Sequence, residues 1–193
     1  MTRGRGGSGG ERLDRFLAHL DGLTGGTEPW FARVPSTSSD LPAVTVIGYR
    51  GLPEAGMSTA VTYGVSLAEH ADWSRSRPEL TISVTSEDDA WALAVGYLSE
   101  QLRGRSAHHY GDTIDFGDRM SPESAMTAFT LGRPITLDPD QHDGIDVGDD
   151  LPVHLVGCYP IHAVEREFVL EHGPEAFWAL EWDPYDVRRP PAV

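Results

Sequence analysis

Lysine is absent from this sequence, and cysteine occurs once, at Cys158. One cysteine excludes an internal disulfide and fits a reducing compartment. The 15 basic residues are all arginine, a bias that high genomic GC content explains without any functional demand. No apolar run reaches the roughly 18 residues that a membrane-spanning helix needs. Arg3 and Arg5 near the N-terminus have no apolar stretch behind them, so no secretory signal is expected there. These absences predict a soluble, cytoplasmic protein. Positive charge is scarce overall: 15 arginines face 30 acidic residues, for a net charge of -15. Such a field repels phosphate backbones and anionic bilayers, so neither nucleic acid nor membrane is an expected partner. A basic protein is its electrostatic complement, although solubility alone would account for the same charge.

Catalytic signatures are missing as well. There is no Gly-x-Ser-x-Gly elbow, no His-Glu-x-x-His and no phosphate-cradling glycine loop after a strand. Cys158 ends an apolar run, where a thiol packs as a small hydrophobe and stays protonated, so Cys158 with His162 is not expected to act as nucleophile and base. His108, His109, Asp112 and Asp115 cluster in a loop and are zinc-ligand types, but adjacent histidines on an extended chain point to opposite sides. A metal-dependent hydrolase using His108, His109 and Asp115 stands as the enzymatic alternative. Asp88 with Asp89, and Glu165 with Glu167, fall in first helical turns, where the helix dipole explains them better than glycoside chemistry does. The expectation is a non-enzymatic domain with no cofactor and no metal.

The acidic run Asp138, Asp140, Asp143, Asp146, Asp149 and Asp150 contains no arginine between Pro134 and Glu165. As a calcium loop counted from Asp138 it fails at three places: His142 and Asp143 stand where an oxygen ligand and glycine belong, and Asp149 replaces the closing glutamate. A solvated loop and a contact surface for a basic partner both fit it. Asp143, Asp146, Asp149 and Asp150 are the first candidates for protein binding, with Asp138 and Asp140 secondary.

Along the chain, residues 1–12 read as a disordered Gly/Arg-rich arm, 13–182 as a single domain and 183–193 as a tail. Leu13, Phe16, Leu17 and Leu20 have helical spacing. Thr24 to Pro42 reads as loop, docked through Trp30 and Phe31. Val44–Tyr49 and the β-branched run between Gly56 and Ser66 read as an antiparallel pair, with a bulge or close approach at Gly64. Arg77–Val84 is a further strand, and Asp88–Leu102 is the clearest helix, its Trp91, Tyr97 and Leu98 facing a sheet. Thr113–Phe116, Ala128–Leu131 and Ile135–Leu137 are short strand candidates. Leu151–Cys158 is apolar enough for a central strand buried on both faces. Val164–His172 and Pro174–Leu180 are helical. Phe177, Trp178, Trp182 and Tyr185 are expected to cap the core, and Arg188 and Arg189 to hang free. Strands in two runs around one long helix predict an α/β domain with a mixed, largely antiparallel sheet and helices mainly on one side.

The order Gly56-Met57-Ser58-Thr59-x-Val61-Thr62-x-Gly64-x-Ser66, a charged loop, Arg77-x-Glu79-Leu80 with its strand and a Trp-containing helix resembles the suppressor-of-fused-like family. So does the ending: an apolar strand into Tyr159-Pro160-Ile161, a helix with Glu165, then Gly173 and an apolar cluster. The resemblance spans roughly Val44 to Trp178. It implies a mixed α/β domain of the bacterial single-domain kind that binds other proteins, with an immunity-type protein neutralising a toxin by occluding its surface as the first expectation. A regulatory or scaffolding domain for a cytoplasmic partner is the alternative. The chain is too short for the second domain of the large animal relatives.

Overall fold

The computed structural model describes residues 9–193; residues 1–8 of the expected arm lie outside the described residues. Helix α1 runs Gly9–Thr24 and so takes in residues 9–12, which composition alone assigns to the arm. Strands follow at Trp30–Val34 (β1), Val44–Arg50 (β2), Ser58–Tyr63 (β3) and Arg77–Val84 (β4), then helix Ala90–Leu102 (α2). Next come Thr113–Asp115 (β5), Ala128–Gly132 (β6), Pro139–His142 (α3), Val153–Ile161 (β7), Ala163–His172 (α4) and Pro174–Trp178 (α5).

The strands form one seven-stranded sheet in the order β1-β2-β3-β4-β7-β6-β5. Only β4 and β7 are parallel neighbours, and the intervening α2, β5, β6 and α3 supply the long crossover that parallel pairing requires. Every other junction is antiparallel, which is the mixed, largely antiparallel sheet that the strand pattern predicts.

Strand register sorts the apolar residues to two faces. Val46, Ala60, Ile82 and Val156 pack with Trp91, Ala94 and Leu98 of α2. Ile47, Val61 and Leu155 of the other face pack with Phe16 and Leu20 of α1, while Ala128 and Ile161 meet Val169 and Phe177 of α4 and α5. The helices therefore gather on one face, with α2 alone behind the other. Gly96 lets α2 come close, since a Cβ there would stand 2.5 Å from Val46 Cγ2. Tyr97, expected to face the sheet, is 54% exposed on the outer side of α2.

Three local expectations change. Trp30–Val34, read as loop, is the edge strand β1, with Trp30 opposite Gly48. Ile135–Leu137 is not a strand: the Ile135 N–H donates to the Tyr159 hydroxyl at 3.0 Å, and Tyr159 donates in turn to the Arg133 carbonyl at 2.5 Å. The tail does not hang free, because Val187 is 1% and Arg189 7% exposed. Arg189 lies against fully buried Glu165, its Nη2 3.0 Å from Oε2, with its guanidinium 4.6 Å from the Trp182 ring centre. The remaining bonds to Glu165 come from the backbone N–H groups of His162 at 2.7 Å and Ala192 at 2.8 Å. Glu165 is thus a buried clamp for the C-terminus, a stronger demand on that position than the helix dipole. Arg188 reaches Glu123, which also accepts from Trp91 Nε1 at 2.9 Å.

Candidate functional site

Thr62, Gly64 and Ser66, spaced by two, converge on one carboxylate. Gly64 adopts φ 142° where β3 ends, a backbone that side-chain-bearing residues rarely take, and so terminates the strand in a single 3-10 turn rather than bulging it. The turn aims the backbone N–H groups of Gly64 and Ser66 at Glu79 Oε1, at 2.8 and 3.0 Å, while the Thr62 hydroxyl donates from β3 to Oε2 at 2.7 Å. Ser66 Oγ adds a fourth donor and the Val65 N–H a longer fifth, at 3.3 Å from Oε2. Glu79 is completely buried; burial pushes its carboxyl up, and these bonds pull it back toward ionisation. The Ser66 hydroxyl accepts from Arg12 Nη2 at 2.8 Å, and Arg12 Nε lies 2.7 Å from Asp149 Oδ2. One chain of polar contacts thus runs from the acidic segment through α1 to the centre of the sheet.

This changes the status of the acidic residues. Asp149 is paired with the nearly buried Arg12, so it holds the fold and is not a free ligand. Asp146 stands 3.4 Å from Arg15, both partly solvated, a geometry worth at most about 1 kcal/mol. Asp138 is the N-cap of α3, its N–H donating to Gln141 Oε1 at 2.8 Å. Asp140, Asp143 and Asp150 are exposed. The segment is anchored by Ile145 and Val147, 3% and 2% exposed, and by the backbone bridge from Ile145 to Val153. Its aspartates other than Asp149 are therefore displayed outward from a fixed backbone. The partners Arg12 and Arg15 lie far off in sequence, where counting arginines inside the run could not find them.

Beside this segment, where β4 and β7 begin, lies a cleft of about 310 Å³ lined by residues that include Asp72, Trp73, His108, Tyr110, Asp143 and His154. His108 is buried and His109 exposed, though both line this cleft. Asp112 accepts from the His109 N–H, and Asp115 faces Arg166, so the expected set of His108, His109 and Asp115 does not converge. Among the described residues, no three His, Cys, Asp or Glu side chains are arranged to hold a metal ion. Cys158 is buried and its thiol is pushed up by burial. That Asp72 and His154 meet in this lining was not legible, since no spacing in the sequence links them.

His108 also adopts φ 56°, and burial, reinforced by His70, His154 and His109, lowers its imidazole from 6.5 to about 4. A lowered histidine contributes stability above its unfolded pKa, and that contribution is lost as pH falls. Between pH 6.5 and 4 the fold is expected to lose about 3 kcal/mol on this account. Denaturant titrations across that range check it. His108→Asn, which tolerates the left-handed backbone, should flatten the dependence; an equally steep loss in the variant contradicts it.

The fold is shared with solved structures. A suppressor of fused homologue from Neisseria gonorrhoeae superposes with a TM-score of 0.74 at 18% identity, covering 96% of this chain and 98% of that one. The chain in the Sufu-Fu complex matches with a TM-score of 0.69 at 12% identity, covering 93% of this chain and 91% of that one. Drosophila Suppressor of Fused gives 0.69 at 12% identity over 94% of this chain, which spans 51% of that protein. No curated protein matches the sequence. The model of the Suppressor of fused protein (SUFU) family matches residues 40–190, from just before β2 through the Glu79 clamp to the Glu165–Arg189 pair, and the chain belongs to that family.

Proposed function

We propose that the domain is a non-enzymatic protein-binding module for a basic partner, of the immunity type that blocks a toxin by covering its surface. The observation that carries this reading is the fixed outward display of Asp140, Asp143, Asp146 and Asp150 in a chain of net charge -15. The likeness to a Sufu chain from a complex with Fu supports a protein as the partner. Toxins that attack nucleic acids present basic active sites, and an acidic surface both steers toward them and masks them.

The test neutralises Asp140, Asp143 and Asp150 together and spares Asp149, whose loss would strip Arg12 of its partner. Wild-type association should slow about tenfold or more between low and high salt, and the triple variant should start slow and respond less. Unchanged binding by the variant at both salt concentrations would sink the proposal.

A further inference from the structure

His108 carries a feature that the acidic segment does not use. It is 2% exposed, yet neither ring nitrogen has a hydrogen-bond partner among the described residues, and it lines the cleft where β4 and β7 begin. Nδ1 of His154, on the same wall, is also unpartnered. Buried polar groups are almost always satisfied, so orphans on residues that line a cavity point to a ligand. Burial holds both imidazoles neutral near pH 7; each then offers a ring nitrogen as acceptor and adds no positive charge. Asp72 and Asp143 share the lining with them. Asp72 Oδ2 stands 4.0 Å from both His70 Nδ1 and His109 Nε2, and the charge of Asp143 is felt by His154 and Tyr110. Trp73 and Tyr110 supply aromatic surface, and Arg75 is a lining group that opposes a cation. A cavity of about 310 Å³ suits one long side chain.

We propose that this cleft receives an arginine side chain of the protein partner, its stem on Trp73 and Tyr110 and its guanidinium between Asp72 and Asp143. A guanidinium presents five donors in a fixed fork and no acceptor, so it can serve two carboxylates and an imidazole nitrogen together, and it stacks on aromatic rings. The inference rests on the protein-binding reading above and names the group that the site would recognise.

The experiment titrates the full chain with N-acetylargininamide at neutral pH while following the histidine ring resonances by NMR. Saturable shifts at His108 and His154 are expected, with no shift from the uncharged citrulline analogue. Asp72→Asn with Asp143→Asn should weaken binding at least tenfold, and Arg75→Gln should tighten it. No saturation by about 50 mM, the weak range natural to one side chain, would overturn the proposal. So would equal shifts from citrulline or an unchanged double variant. Zinc saturating the same resonances where the arginine probe does not would reassign the cleft to a metal. The two readings fail separately: a failed probe titration leaves the salt dependence of partner binding standing, and a failed salt test leaves a saturable cleft.

Discussion

Glu79→Ala is expected to destabilise the domain by about 3–5 kcal/mol, because it orphans buried donors that each cost about 1–3 kcal/mol when left unmade. The Gly64 and Ser66 N–H groups are fixed by the 3-10 turn and cannot turn to water. Glu79→Gln is isosteric but sets an NH2 group against donors, so it should recover only part of the loss. The effect should spread along the polar chain: without Glu79 the Ser66 hydroxyl loses its acceptor, and Arg12, which donates to Ser66, loses the alignment that also holds Asp149. Urea unfolding followed by circular dichroism measures all of this. A loss under about 1 kcal/mol for Glu79→Ala would mean that the turn is held by packing and not by these bonds.

The second large effect lies at the C-terminus. Arg189→Ala leaves Glu165 fully buried without its cation and is expected to cost about 3–5 kcal/mol. Removing both charges is milder than removing one, so Glu165→Gln with Arg189→Met should recover at least half of the loss. Were the tail free, as its lack of periodicity suggests, Arg189→Ala would be neutral within about 0.5 kcal/mol. Equilibrium unfolding of Arg189→Ala and of the double variant decides between these outcomes.

The elements legible in the sequence are those whose pattern is local. Val44–Arg50, Ser58–Tyr63, Arg77–Val84 and Val153–Ile161 carry β-branched alternation or a continuous apolar run, and α2 carries a helical period. The short edge strand β1 was not legible, since Trp30 and Phe31 read equally well as loop anchors until β2 pairs with them. Ile135–Leu137 misled for the opposite reason: a strand-like composition is overridden when the Tyr159 hydroxyl takes the Ile135 N–H. The candidate site was half legible. The acidic run was plain, but Arg12 lies 137 residues from Asp149, and neither Asp72 nor His154 shares a motif with His108. The spacing of two among Thr62, Gly64 and Ser66 was visible as a pattern; that all three serve Glu79 needed the fold.

Photocrosslinking tests the central claim, a protein partner at the acidic cleft, most directly. A benzophenone amino acid replaces Tyr110, which lines the cleft, or Tyr97, which is 54% exposed on α2, and each full chain is irradiated in its native host. The account predicts one discrete protein adduct from position 110 that fades at high salt and in the Asp72→Asn, Asp143→Asn background, with none from position 97. No adduct at position 110, or the same adduct from both positions, would contradict it.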